Sequence, residues 1–262
     1  MDRKSFDKEY LKLKPYLEAY LYRLLTNKED VADFYNNIYI KAEKNLYTFN
    51  GEVSSFKSWV FTIATRLVLN HLKREKKWDK NAQDTCRNAL INNEEARTKF
   101  LSGIDLIETK YDIKEHIDFC FTCLNKTLTI EQQVAFLLKD IYDFKVSEIC
   151  DIMKLSLGKV KHLLANSRKT LIHLFDERCA ITSKNGICHQ CSELQGLFNP
   201  KLDAHLEVNK VKKHMQINNK DDQERLLELR KHLVKNINPF QKEKDSLHDY
   251  LMSHLKKINN LS

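Results

Sequence analysis

Apolar residues return every three or four positions along most of this chain, the period of a helix with one buried face. From Tyr10 to Leu25 they fall at Leu13, Tyr16, Leu17, Tyr20, Leu21 and Leu24. Thr26 or Asn27 then caps a second helix, whose positive first turn suits Glu29 and Asp30. That helix is expected to run to about Asn45 on a stripe of Val31, Phe34, Tyr35, Ile38 and Ala42. The stretch YTFNGEVSS (47–55) is a loop around the turn signal Asn50-Gly51. Phe56, Trp59, Val60, Ile63, Ala64 and Leu67 follow at i, i+3, i+4, i+7, i+8 and i+11, the strongest helical pattern in the chain.

The periodicity fades over 79–111, which reads as a polar, acidic linker. It returns in Ile113–Cys123 and in a helix capped by Thr129 that carries Val134, Leu137, Leu138 and Ile141. A short helix Val146–Met153, a turn at Lys154–Leu155 and a longer helix Ser156–Phe175 make a helix-turn-helix pattern. Beyond it, 179–200 is loop-like, and Lys201–Met215, Asp221–Asn236 and Glu243–Ile258 are three further candidate helices.

Composition agrees with an all-α chain. Among 262 residues there are only five glycines and three prolines, where average usage of glycine alone would give about 18. Gly51, Gly103, Gly158, Gly186 and Gly196 lie too far apart for a dinucleotide fingerprint or a phosphate loop. No HExxH or GxSxG occurs, and no carboxylate–histidine constellation can be assembled, so the chain is expected not to be an enzyme. No apolar run is long enough to span a membrane, and the N-terminus lacks a secretory signal. Seven cysteines, an odd number in a chain large enough to fold without staples, point to a reducing cytoplasm.

The formal charge of +8 is unevenly placed. Phe56–Trp78 carries six bases against one acid, and Phe144–Phe175 six against two. Between them, Asp79–Cys123 holds nine acids and six bases. Two basic modules around an acidic connector suggest two separate contacts with a polyanion.

These segments together resemble the bacterial RNA polymerase sigma factors of the extracytoplasmic-function (ECF) group. The first module carries VADFYNNIYIKA (31–42), Phe49-x-Gly51 and FKSWVFTIATRLVLNHLKR (56–74). The second carries LTIEQQVAFLL (128–138) and EICDIMKLSLGKVKHLLANSR (148–168). The chain departs from the family pattern at Asn36-Asn37, Arg66, Asn70, Lys154 and Asn166. Lys154 stands where the turn of the helix-turn-helix has glycine, and a left-handed backbone there costs about 1 kcal/mol.

The resemblance implies four segments: region 2 in 1–78, a linker in 79–111, region 4 in 112–176 and a C-terminal extension in 177–262. It implies binding to core RNA polymerase through Asp33, Asn36, Asn37, Tyr39 and Ile40 of the second helix. It also implies capture of an unstacked base of the −10 element in a pocket of Phe49, Asn50, Glu52, Ser54 and Ser55. Lys57, Arg66, Lys73, Arg74, Lys76 and Lys77 are then the phosphate contacts, and Phe61, off the helical stripe, an exposed aromatic. Phe56, Trp59 and Ile63 are expected in the core. Ser156, Lys159, Lys161, His162 and Asn166 face the −35 duplex, with Arg168 and Lys169 on its backbone. Cys150 sits where the two helices cross, as a buried thiol. An anti-sigma protein is a further candidate partner.

The spacing Cys179-x8-Cys188-x2-Cys191 suits a thiolate zinc site, for which His173, His189 or His205 supplies a fourth ligand. Buried thiols are the other reading. Cys120-x2-Cys123 lies on a helix, where i, i+3 spacing marks one face. Two other functions stay open at this point: a helix-turn-helix regulator that never docks on polymerase, and a zinc or thiol sensor whose output is DNA binding.

Overall fold

The structure, a computed structural model, describes residues 1–73, 77–82, 84–85, 113–178, 213, 223–240, 252 and 256, of which 113–117 are described by backbone alone. The described residues form helices and turns with no strand, an all-α fold. The chain divides into two compact units. The first joins Met1–Lys77 to Leu128–Arg168 and to Asn238–Lys242. The second comprises Trp78–Thr127, Lys169–Ile237 and Glu243–Ser262.

Helix α1 spans Arg3–Leu25 and so starts seven residues before the periodic stretch. The Asp2 carboxylate accepts from the Ser5 N–H at 2.8 Å and caps the extra turns, which bury Phe6. Thr26 ends α1 in the left-handed region (φ 57°), and Asn27 opens α2 (Lys28–Lys44) by accepting from the Asp30 N–H. Both candidate cap residues are therefore used, one for each helix. A short 3-10 turn, Leu46–Thr48, leads to the loop before α3 (Phe56–Leu72), which Ser55 caps.

Leu17, Leu21 and Leu24 of α1, Val31, Ile38 and Ala42 of α2, and Val60, Ala64 and Val68 of α3 are buried. Burying a side chain of this kind contributes about 1.5–3 kcal/mol. Tyr16, on the expected stripe of α1, is instead exposed.

Residues Leu128–Arg168 of the same unit supply the helix-turn-helix. Helix α5 (Ile130–Phe136) opens with a capping box between Thr129 and Gln132 and runs into a π-helical turn, Leu137–Ile141. Helix α6 (Val146–Met153) follows, and α7 (Leu157–Arg178) begins where Ser156 Oγ accepts from the Lys159 N–H. Lys154 ends α6 in the left-handed region (φ 54°), and its N–H donates to the Cys150 carbonyl. Cys150 itself is only half-buried.

In the second unit, α4 (Ile113–Asn125) packs against α8 (Gln223–Lys235). Phe121 stacks on Phe175, and the Arg230 guanidinium lies 4.2 Å from the Phe175 ring centroid. Arg178 donates to Asn81 at 2.8 Å and pairs with Asp84. The expected α8 is thus present. The candidate helices Lys201–Met215 and Glu243–Ile258, and most of the expected linker, lie outside the described residues.

Lys154 stores strain that glycine would not. Lys154→Gly is expected to raise stability by about 0.5–1 kcal/mol, the strain relief exceeding the added unfolded-state entropy. A higher denaturant midpoint at unchanged slope checks it.

Candidate nucleic-acid and polymerase interface

Helix α2 has two faces. Val31, Ile38 and Ala42 are buried, while Asp33, Asn36, Asn37 and Ile40 are exposed. Those four positions fall at i, i+3, i+4 and i+7, so they form one stripe open to solvent. Ile40, 44% exposed, sits among polar neighbours, the mixture suited to docking another helix. Tyr39 stands apart from them: its hydroxyl donates to Asp7 Oδ1 at 2.7 Å and its ring packs on Phe6 and Tyr10.

The loop after α2 is built on Asn50. Its carbonyl accepts from the Val53 and Ser54 N–H groups at 3.1 Å, and its side-chain oxygen from the Glu52 N–H at 3.0 Å. Phe49 is half-buried, with edge-on contact to Phe56 and a tilted contact to Trp59. This aromatic ledge leaves Asn50, Glu52 and Ser55 at the surface, with Ser54 half-buried. Tyr47 and Val53, 85% and 80% exposed, stand in the same loop. The sequence reading missed both. An aromatic and a β-branched residue inside a polar turn, outside any helical stripe, was the available signal.

On α3, Arg66 and Lys73 are exposed, as is Lys77 beyond its end. Arg74 and Lys76 lie outside the described residues. Two expectations need correction. Phe61 is completely buried, within 5.9 Å of Tyr20, Tyr142 and Phe144 ring centroids. Phe56, Trp59 and Ile63, expected in the core, are half-buried. The reason is that α3 is covered on a second side. Ser58, Phe61 and Thr65, at i, i+3 and i+7, form that second buried face. Lys57 belongs there too: its ammonium donates to the Tyr142 carbonyl at 3.0 Å and lies 4.7 Å from the Phe144 ring centroid. Loss of hydration in this position lowers its pKa, although Asp143 and Glu148 oppose the shift.

Helix α7 turns Val160, Leu163, Leu164 and Ser167 inward and leaves Lys159, Lys161, His162 and Lys169 exposed, with Asn166 half-buried. The Asn166 amide nitrogen lies 3.2 Å from His162 Nε2. Ser156 and Lys159 mark the exposed N-terminal end, the part of such a helix that reaches base edges. Arg168 differs from the expected backbone contact. Its guanidinium forks onto Asp140, with Nη2 at 2.9 Å from Oδ1 and Nε at 3.2 Å from Oδ2. Asp140 is buried, so Arg168 neutralises an interior carboxylate and fixes α7 against the π-helical turn.

Cys179, Cys188 and Cys191 lie outside the described residues, as do His189 and His205. Among the described residues, no group of three His, Cys, Asp or Glu side chains is placed to hold a metal ion. Among them, too, no helix is long and apolar enough to cross a membrane.

Removing one partner of the Arg168–Asp140 pair leaves a buried charge behind. Arg168→Ala is expected to destabilise the fold by about 2–4 kcal/mol. Adding Asp140→Asn should restore part of that loss. Denaturant titration of the two variants checks the coupling.

Comparisons with known proteins bear on these surfaces. The sigma-70 region 2 family model matches residues 10–78, and the sigma-70 region 4 model matches residues 119–171. The chain is 22% identical over 146 residues to the ECF RNA polymerase sigma factor SigX of Bacillus subtilis (strain 168), covering 55% of this chain and 70% of that one. It is 25% identical over 176 residues to the RNA polymerase sigma factor YlaC of the same organism, covering 64% and 91%. A solved structure of the sigma factor RpoE with the anti-sigma factor NepR from Bartonella quintana aligns at TM-score 0.46 and 19% identity, over 66% of this chain and 97% of that one. The chain thus carries a sigma-70 region 2 segment and a sigma-70 region 4 segment, in that order, and over both it is similar to RNA polymerase sigma factors, one of them of the ECF group.

Proposed function

We propose that this chain directs core RNA polymerase to promoters and helps open them, with residues 1–78 acting as region 2 and 112–176 as region 4. The observation that carries the reading is a pair of surfaces on one chain. One is the exposed Asp33, Asn36, Asn37 and Ile40 stripe of α2 beside the Phe49 ledge; the other is the basic face of α7. A regulator that acts on duplex DNA alone has no use for the first surface. The α2 stripe docks on the polymerase. The loop from Tyr47 to Ser55 takes an unstacked base, the Phe49 ring supplying a stacking face that partly offsets the cost of strand opening. Arg66, Lys73 and Lys77 hold the backbone of the same strand.

At the −35 element, Lys159, Lys161, His162 and Asn166 enter the major groove and Lys169 contacts phosphate. Arg168 contributes by holding α7 in place through Asp140. The protein has no chemistry of its own and works in the cytoplasm, where polymerase is found. Residues 79–111 connect the two regions, and 177–262 are a regulatory extension. Support for the extension's role comes from Asn238, which belongs to the first unit and whose Nδ2 donates to the Pro15 carbonyl of α1 at 3.2 Å. An anti-sigma protein is a proposed partner of this chain. Zinc on Cys179, Cys188 and Cys191 is also part of the proposal, and elemental analysis of protein purified without chelator tests it.

Two measurements test the main reading. Ile40→Asp with Asn37→Arg should abolish co-purification with core polymerase while leaving duplex binding by the free chain unchanged. Retention of core binding would remove α2 from the interface. Lys159→Ala and Lys161→Ala should each reduce the log–log salt slope of duplex binding by about 0.9, and Lys159→Ala should also change sequence preference.

A further inference from the structure

The start of α7 carries a side chain that the fold does not use. Leu157, the first residue of the helix, is 51% exposed. Among the side chains described from Asp118 onward, it is the one large apolar group left open to solvent. Helix starts commonly pack an apolar residue just before the cap against one a turn later. Those two positions are Leu155, half-buried, and Val160, buried, so Leu157 is not needed for that packing. Nor does it serve the helix electrostatically. A positive first turn favours Asp or Glu, and α7 has no acid before Asp176.

The next residue repeats the pattern. Glycine inside a helix destabilises it relative to alanine, and earns its place where the backbone is left-handed or a neighbour comes close. Gly158 meets neither condition within the chain: its φ is not positive, and a methyl group built on it would touch nothing within 4 Å. Close approach by something outside the chain is the reason that remains.

The surroundings say what approaches. Ser156, Lys159, Lys161 and His162 are all exposed beside these two residues, and Lys161 lies one turn from Leu157 on the same side of the helix. An apolar tip set among bases, with no acid nearby on the helix, matches a duplex. Phosphates suit the lysines, and the thymine C5-methyl is an apolar group that base edges display in the major groove.

We propose that Leu157 is a specificity-determining residue of the −35 contact, its side chain packing on the C5-methyl of a thymine while Gly158 lets the helix start come close. The inference rests on the sigma-factor reading and deepens it by naming a base that α7 selects. The lysines attract any sequence, because phosphates are the same everywhere. Leu157 adds a preference, since cytosine lacks the methyl and offers a polar amine instead.

The test uses the full chain, with and without core polymerase, and a pool of duplexes carrying a randomised segment. The enriched upstream sequence is resynthesised with each thymine in turn replaced by deoxyuridine, which pairs identically but has no methyl. At one position this replacement should weaken binding by the wild-type chain about two- to fourfold, the effect of losing one methyl contact. Leu157→Ala should bind the thymine duplex more weakly by a similar factor and bind the thymine and deoxyuridine forms equally, so that the two changes are not additive. The replaced side chain is exposed, so the fold stays intact. Gly158→Ala should raise the denaturant midpoint yet weaken binding to every duplex, opposite signs that a purely structural glycine would not give. Equal affinity for thymine and deoxyuridine at every enriched position overturns the proposal, as does an enriched sequence without thymine or discrimination that persists in Leu157→Ala. A pool that stays random with core present removes sequence reading by α7 altogether, and Leu157 with it. Enrichment by the chain alone that core polymerase leaves unchanged, with methyl discrimination intact, overturns the sigma-factor reading and leaves Leu157 as a base reader.

Discussion

Helix α3 is covered along two faces at once, and the arrangement of the first unit follows from that constraint. One face, Val60, Ala64 and Val68, completes a three-helix bundle with α1 and α2. The other, Ser58, Phe61 and Thr65, meets Tyr20 of α1 and the turn Tyr142–Phe144. A helix with a wide apolar surface must bury it. In this chain, cover comes from a segment about eighty residues further along, so the helix-turn-helix and the bundle pack within one compact unit.

The polar groups trapped by this packing explain why it is specific. Arg23 is buried and donates to Tyr142, Thr65 is hydrogen-bonded to Tyr20, and Asp140 is met by Arg168. A buried charge or hydroxyl without its partner is costly, so a slipped packing would be penalised at each of these points. Apolar contacts alone tolerate rearrangement more readily. The surfaces proposed for binding are what this packing leaves open: one stripe of α2, the Asn50 loop with its aromatic ledge, and the outward face of α7. Glu148 serves the helix-turn-helix and its contact with α3 at once. Burial raises its pKa, but hydrogen bonds from Ser58 and Lys145 and the nearby Lys145 and Lys57 charges outweigh this and lower it, so the carboxylate that organises α6 is also the one that meets α3.

Local chemistry made much of this legible in advance. The periodicity of α2, α3 and α8, the caps at Asn27 and Thr129, the turn at Asn50-Gly51 and the helix-turn-helix pattern depend on neighbours within a few residues, and the structure places them as expected. The left-handed backbone at Lys154 was suggested only by the resemblance, which puts a glycine at that turn, and the structure shows it. The exposed stripe of α2 followed from its period too, since the positions opposite a buried face must be exposed.

What the sequence by itself determined, then, is an all-α chain with a region 2 bundle and a region 4 helix-turn-helix, along with which faces of α2 and α7 stay exposed. Tertiary structure alone decided the fate of Phe61, Lys57 and Arg168. Helical period assigns one inward face to each helix, and it cannot show a second face covered by a distant segment, nor a buried carboxylate waiting for an arginine. An off-stripe phenylalanine therefore read as an exposed aromatic and a basic residue near a helix end as a phosphate contact. Long-range packing made the first a core residue and the second the counter-charge of Asp140, because burial depends on what arrives from elsewhere in the chain and not on spacing along it.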